Sequence, residues 1–276
     1  MVVDYGFGSV SFVMPNVLAK LGADVLAVNP YASTTGVIDY DIHAAADNVA
    51  ALVRASGAHL GAAIDPDGEH LVLVDDEGHV LGHTEAVLAL VDLVSDHLLG
   101  DRIALPVATT RHADAIARKH GVRVQHTKLS TPALMDAASE EGVGFAASMD
   151  GGYILPGFLP AFDGAATLVK VLELLARQEV RLSEIVHALP RPHVVHETVV
   201  TPWEQKGAVM RSLVEMAKDR EVELVDGVKV LHDDGWALAL PDPEEPITHV
   251  WAEAGSDGDA RRLAQEYARR IRALLR

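Results

Sequence analysis

Residues 61–82, "GAAIDPDGEHLVLVDDEGHVLG", place three acidic side chains at alternate positions: Asp65, Asp67 and Glu69. On an extended loop, alternate carboxylates can converge on one cation. Their hard oxygens suit magnesium, which takes octahedral donors at about 2.0–2.1 Å. An EF-hand is excluded, because the glycine falls at the wrong place and no acidic run of that length follows. The same letters also suit a plain type I turn between two strands. Both readings stay open at this point. A second pair, His193 and His196 in "PHVVHE", has the i, i+3 spacing that would serve a metal on a helix. The prolines around it argue for a linker carrying solvated histidines. There is no cysteine, which excludes disulfides, thiolate metal sites and a Cys nucleophile.

The elements that must position these residues alternate. "VVDYG" reads as a strand, "SVSFVMPNVLAKLG" as a helix closed by Gly22, and "ADVLAVNP" as a strand. "DIHAAADNVAALVRASG" is a helix ending at Gly57, "HLGAAID" and "HLVLVD" are strands flanking the acidic loop, and "HTEAVLALVDLVSDHLLG" is a long helix capped near Gly100. Strands alternating with helices predict a mostly parallel sheet covered on both faces. The plan then repeats. "DRIALPVATTRHADAIARKHGVRVQH" has the order of the opening, Gly121 answers Gly22, and "FAASMDGG" echoes "GAAIDPDG". "LPRPHVVHETVVTPWE" reads as a linker. After it come a helix, "QKGAVMRSLVEMAKD", short strands joined by "DG" turns, and a basic amphipathic helix, "DARRLAQEYARRIRALLR". An intramolecular or interdomain contact is the expected role of that last helix, rather than membrane attachment.

Apolar residues make up 49% of the 276, enough for buried cores. The formal net charge of −17 repels a phosphate backbone, so neither nucleic acid nor an acidic membrane surface is an expected partner. The apolar runs are interrupted by Asp and too short to span a bilayer. Met1 leads directly into a strand, with no signal peptide before it. The expectation is a cytoplasmic protein.

This order of elements, with an Asp-x-Asp-Gly loop in the first segment, resembles the α-D-phosphohexomutases, the phosphomannomutase and phosphoglucomutase family. "VVDYGFGS" is similar to the start of the family's second domain, and "DPDGEHLVLVDDEGHVL" to its metal loop and the following strand. "ILPGFLPAFDGAATLVKVLELLA" resembles the third domain, and "DGVKVLHDDGWALALPDPEEP" the fourth up to its phosphate loop. The resemblance covers nearly the whole chain but only three of the family's four domains. The implied fold class is α/β: two tandem α/β/α phosphohexomutase-type domains, residues 1–98 and 99–198, followed by a small α+β domain, residues 199–276. The family's first domain, which carries its phosphoserine, has no counterpart. Ser9 and Ser11 sit in the opening loop but belong to the second-domain pattern.

The resemblance implies sites, and the residues depart from each. At the metal loop Asp65 and Asp67 are kept, Glu69 stands for the third Asp, and His70 replaces an Arg. At the sugar-reading loop the matching run is "AASMDGGY": Ser148 or Met149 holds the Glu position, Asp150 the Ser position and Gly152 the His position. Lys128 lies near the family's basic substrate loop, and Arg111 and His112 open a helix of the third domain. The implied ligand set is therefore Asp65, Asp67 and Glu69 for magnesium, with His70, Ser148, Asp150 and Lys128 toward a sugar phosphate; no catalytic residue is assigned. At the phosphate loop the run is "LPDPEEP", residues 240–246. Leu240 stands where the family has Arg, and Asp242, Pro243 and Glu244 replace its donors. One like-charge pair at about 4 Å costs roughly 1 kcal/mol in water and about 4 kcal/mol at an effective dielectric of 20. Loss of phosphate binding is the expectation.

The wording of "VNPYAST" and "IDPDGEHL" is similar to bacterial fusion proteins whose C-terminal half is mutase-like and whose N-terminal half is a nucleotidyltransferase of the mannose-1-phosphate guanylyltransferase type. The implied role is a scaffold or regulatory region with degenerate loops, partnered by that nucleotidyltransferase or by a phosphoserine domain, in cis or in trans. The alternative is an active phosphohexomutase component that takes its phosphoserine domain from another chain. A truncated reading frame is a third.

Overall fold

The computed structural model describes residues 1–32 and 39–275. Ser33 and Thr34 of "VNPYAST", and Arg276 at the end of the basic helix, lie outside the described residues.

The first segment runs β1 (Val2–Asp4), α1 (Met14–Lys20), β2 (Leu26–Val28), α2 (Ile42–Ser56), β3 (Gly61–Ile64), β4 (Leu71–Val74) and α3 (His83–Ser95). Its sheet has the order β2-β1-β3-β4, with β1 parallel to β2 and β3. The predicted first helix divides into a 3-10 turn, Ser9–Phe12, and α1, which takes Pro15 in its first turn, where a missing N–H is harmless. The α2 helix starts at Asp41, whose carboxylate accepts from the N–H groups of His43 and Ala44, and ends at Gly57 in the left-handed region (φ 67°). The α3 helix stops at Ser95, short of the predicted cap at Gly100.

The second segment contains β5 (Arg102–Pro106), α4 (Arg111–Lys119), β6 (Arg123–Thr127), α5 (Thr131–Ala138), β7 (Val143–Ala147), β8 (Tyr153–Leu155), β9 (Leu159–Phe162), α6 (Gly164–Gln178) and α7 (Leu182–Ala188). Its sheet order, β6-β5-β7-β8-β9, reproduces the first with one strand added. The echoing stretches therefore fall on equivalent strands, β3 and β7, and Gly22 and Gly121 share a left-handed backbone (φ 77° and 74°). Of the first sheet's three pairings two are parallel, as expected; the second sheet is mixed. The β4 strand runs antiparallel to β3, and β8 antiparallel to β7 and β9. A short loop such as residues 65–70 can join neighbouring strands only in the antiparallel sense.

Contacts group the chain into two units. The first is Met1–Pro106, Ala113–Gln125 and Ser130–Leu189; the second is Val107–His112, His126–Leu129 and the chain from Pro190 on. The two α/β segments thus share one unit and one apolar core, running from Val3, Leu60 and Leu73 through Leu88 and Leu93 to Ile103, Phe145 and Leu168. The α3 helix is apolar on most sides and packs on β4, α6 and α7, as a largely buried helix must. The opening glycines bring backbones together: a Cβ on Gly6 would lie 2.4 Å from the Ile64 carbonyl oxygen, and one on Gly8 2.4 Å from that of Pro66.

The second unit holds β10 (His193–Val200), α8 (Trp203–Met216), β11 (Val222–Glu223), β12 (Val228–His232), β13 (Gly235–Pro241), β14 (Ile247–Ala254) and α9 (Asp257–Leu274). The stretch expected to be a linker is instead an edge strand. Pro190, Pro192 and Pro202 flank β10 and none lies inside it, so its pairing with β14 is unbroken from His193–Ala254 to Val200–Ile247. The last domain therefore starts at Pro190 rather than at residue 199. The sheet order is β10-β14-β13-β12-β11, antiparallel throughout. Its core joins Val228, Val230, Val250 and Ala252 to Val209 and Leu213 of α8 and to Ala264, Tyr267 and Ile271 of α9. The basic helix is thus packed intramolecularly, against β10 and β14.

Candidate functional site

In the first unit, β3 delivers Asp65 and the start of β4 delivers His70, while the β7–β8 turn delivers Ser148 and Asp150. The two loops are tied by backbone: Leu71 N–H donates to the Gly151 carbonyl at 2.9 Å, and His70 bridges Gly152. The Asp65 carboxylate is fully engaged. One oxygen accepts from the N–H groups of Glu69 (2.8 Å) and His70 (3.1 Å); the other lies 2.8 Å from His70 Nδ1. His70 Nε2 is 3.7 Å from Asp150, an ion-pair contact too long for a hydrogen bond. The Ser148 hydroxyl accepts from Gly152 N–H at 2.9 Å and bonds the Asp150 carboxylate.

This electrostatic arrangement is self-contained. Asp150 and then Asp65 push the His70 imidazole up to about 10, against burial. His70 in turn holds the Asp150 carboxyl well below the usual range, with burial opposing and Ser148 adding to it. Burial alone would raise Asp65, but its bonds from His70 outweigh that and lower it. The histidinium thus sits between two carboxylates.

Two further histidines of this unit escaped the sequence reading. His43 and His83 stand at the first turns of α2 and α3, with ring centroids 5.2 Å apart and edge to face. Burial, then His43, lowers the His83 pKa. Nearby, burial followed by the Asp4 carboxylate raises the Tyr40 hydroxyl. Buried Asp4 accepts from Gly6 N–H and the Asn29 amide.

For magnesium the fit fails. Asp67 and Glu69 are exposed and do not converge with Asp65. Among the described residues no group of three or more His, Asp or Glu is placed to hold a metal ion. The physical reason is His70: its ring and its amide take the Asp65 oxygens that would face an ion.

In the second unit, the 240–246 loop is also closed on itself. Asp242 turns inward, and one of its oxygens accepts from the N–H groups of Glu244 and Glu245, both at 2.7 Å. Its other oxygen lies 2.9 Å from His249 Nε2. The His249 bond, then the two amides, lower the Asp242 pKa to about 2. The buried Lys206 ammonium donates to the carbonyls of Asp242 and Glu245 and stacks 3.6 Å from the centre of the Trp203 ring. Of the three carboxylates in this loop, Glu244 and Glu245 are exposed and Asp242 alone faces the loop amides, which it blocks.

Lys128 is exposed on the loop after β6 and belongs to this second unit. Arg111 and His112 flank buried Glu253: Arg111 N–H donates to it at 3.0 Å, Thr110 at 3.0 Å and the Trp236 indole at 2.8 Å. His193 pairs with Asp257 at 2.7 Å rather than with His196. His196 meets His249 across the strands at 2.9 Å, and both rings stack on Trp251.

Comparison with known proteins agrees with the fold. Residues 82–193 match the family "Phosphoglucomutase/phosphomannomutase, alpha/beta/alpha domain III". A probable phosphoglucosamine mutase of Methanopyrus kandleri is 31% identical over 99% of this chain and 61% of its own length. The structure of a phosphoglucomutase/phosphomannomutase family protein from Burkholderia thailandensis superposes with a TM-score of 0.82 at 24% identity, over 99% of this chain and 60% of that one. N-acetylphosphoglucosamine mutase of Aspergillus fumigatus, solved with GlcNAc-6P and magnesium, gives a TM-score of 0.64 at 15% identity, over 98% of this chain and 65% of that one. The chain spans about three fifths of the curated relative it matches. The chain is thus similar to phosphoglucomutase/phosphomannomutase domain III over residues 82–193, and to a probable phosphoglucosamine mutase along 99% of its own length.

Proposed function

We propose that the chain is a phosphohexomutase-family region with degenerate metal, sugar and phosphate loops. It serves as a scaffold or regulatory part of a sugar-nucleotide-forming system of the mannose-1-phosphate guanylyltransferase type. The observation that carries this reading is the closure of both loops on their own side chains, Asp65 by His70 and the 242–246 amides by Asp242. The partner is a nucleotidyltransferase or phosphoserine domain, in cis or in trans. The A. fumigatus relative binds magnesium, but no role for the ion is carried over, because the donors here do not converge. The chain works in the cytoplasm; among the described residues no helix is long and apolar enough to cross a membrane.

Isothermal titration with mannose 1-phosphate and glucose 1-phosphate, with and without magnesium, tests the reading. The expected result is no heat from a protein that melts cooperatively. Micromolar binding that disappears in Asp67→Ala would overturn it.

A second reading is favoured by the similarity to M. kandleri phosphoglucosamine mutase along 99% of the chain. The chain would then be an active phosphohexomutase component completed by a phosphoserine domain on another polypeptide. Interconversion of hexose 1- and 6-phosphates on mixing the two would support it.

A further inference from the structure

His193 and His196 are three residues apart on a strand, so they point to opposite faces of the sheet. Val195 and Val199 of β10 pack into the core with Val250 and Ala252 of β14, which leaves His196, His249 and Trp251 on the face turned away from it. Across the ladder His196 stands opposite Trp251, and His249 opposite Thr198, so the two imidazoles meet on the diagonal. Their facing nitrogens, His196 Nε2 and His249 Nδ1, are 2.9 Å apart. Both rings lie over the Trp251 indole, with centroids 4.4 and 5.0 Å from it.

Asp242 decides which nitrogens are free. Its Oδ1 takes the Glu244 and Glu245 amides, and its Oδ2 faces His249 Nε2 at 2.9 Å. An ionised carboxylate only accepts, so His249 Nε2 carries the hydrogen and Nδ1 presents its lone pair to His196. A carboxylate behind an imidazole whose other nitrogen faces outward is the arrangement that orients histidine ligands of metals. Burial, then His249, lowers the His196 pKa, so that ring too is neutral near pH 7. Two imidazole nitrogens on one zinc ion, each at about 2.0–2.1 Å, lie roughly 2.9–3.4 Å apart between cis-octahedral and tetrahedral geometry. The two rings already stand at the short end of that range.

We propose that His196 Nε2 and His249 Nδ1 form a two-histidine site for a zinc-class dication, with Asp242 positioning His249 and water completing the shell. Without the ion, His196 Nε2–H donates to His249 Nδ1. The His196 ring is exposed, so solvent can carry that hydrogen to its Nδ1 and free Nε2 for the ion. The bound ion then clips the edge strand β10 to β14. Two neutral nitrogens with no carboxylate oxygen beside them suit zinc and disfavour magnesium. The site does not depend on whether the chain is a scaffold or an active mutase component.

The test is titration of the full chain with zinc chloride, followed by calorimetry and by the ring resonances of its 14 histidines. Zinc is expected to shift His196 and His249 together and saturably, and to raise the thermal midpoint; magnesium chloride is expected to do neither. His196→Ala and His249→Gln should each weaken zinc binding at least tenfold. In Asp242→Asn the side-chain oxygen stays with the loop amides and the NH2 turns to His249, which reverses the tautomer. Zinc should then bind about tenfold more weakly, and the nitrogen shifts of His249 should move the hydrogen from Nε2 to Nδ1. No saturable shift at either ring would mean that the pair is only a hydrogen bond, and would overturn the site. Shifts confined to other histidines, or equal affinity in wild type, His196→Ala and His249→Gln, would overturn it as well. Unchanged affinity in Asp242→Asn would overturn the positioning role.

Discussion

His70 Nδ1 lies 2.8 Å from Asp65 Oδ2, which leaves the carboxylate expected to hold a metal with both oxygens committed inside the protein. A ligand that binds only the native state at 100 times its Kd adds about 2.7 kcal/mol. Magnesium in millimolar excess is therefore expected to leave the thermal midpoint unchanged, and EDTA likewise. A magnesium-dependent rise of several degrees in a melting scan would show that the loop opens and binds.

Replacing the imidazole should cost modest stability. His70→Ala removes one charge-assisted bond to Asp65 and the long contact to the exposed Asp150, for a loss of about 1 kcal/mol. Asp65→Ala also strips the N–H groups of Glu69 and His70 of their acceptor, so it should cost more, about 2 kcal/mol. Urea unfolding of the two variants checks the order.

His120, just after α4, carries the clearest pH signal away from the two loops. Its ring lies 3.1 Å from Asp92, in the last turn of α3, and 2.6 Å from Asp96, the residue that follows the helix. Burial acts to lower its pKa, but the two carboxylates outweigh it and raise it. A pKa raised on folding means that the native state holds the proton more tightly. The stabilisation is then complete below the ordinary histidine pKa, about 6.5, and disappears as pH rises through the raised value. Wild type minus His120→Gln, compared by urea unfolding between pH 5 and 9, should show a difference that shrinks with rising pH. A flat difference would contradict this.

Glu253 is expected to be the most sensitive residue of the second unit. It is 1% exposed and receives Thr110, the Arg111 amide and the Trp236 indole. Glu253→Ala strands these donors and the nearby Arg111 guanidinium, a loss of about 3–5 kcal/mol. Glu253→Gln keeps acceptor capacity and should lose less, about 1–2 kcal/mol. Denaturant midpoints followed by tryptophan fluorescence would separate the two.

The tandem α/β plan was readable because it rests on local signals. Gly22 and Gly121 close their helices in the conformation that only glycine takes readily, and strands β3 and β7 announce themselves by apolar runs. Partners far apart in sequence were not readable. In sequence His196 stands three residues from His193, while its contact is His249, set by a cross-strand register. The prolines around β10 resemble linker signals in the sequence, although proline interrupts a strand only where it sits within the ladder. A charge count says nothing of a side chain folding back on its own turn, as Asp242 does. In the sequence His70 is only a replacement for Arg; that it reaches both Asp65 and Asp150 depends on a backbone bridge to Gly152.

The register of β10 has a consequence for synthesis on the ribosome. This first strand of the second unit pairs with β14, Val200 opposite Ile247 and His193 opposite Ala254. At a translation rate of about 5–20 residues per second, β10 leaves the ribosome roughly 2–10 s before its partner. During that interval "HVVHETVV" is a nascent segment rich in valine with no ladder to join. Its interleaved His193, His196 and Glu197 then act as gatekeepers, polar interruptions that discourage pairing with the same strand on a neighbouring nascent chain in a polysome.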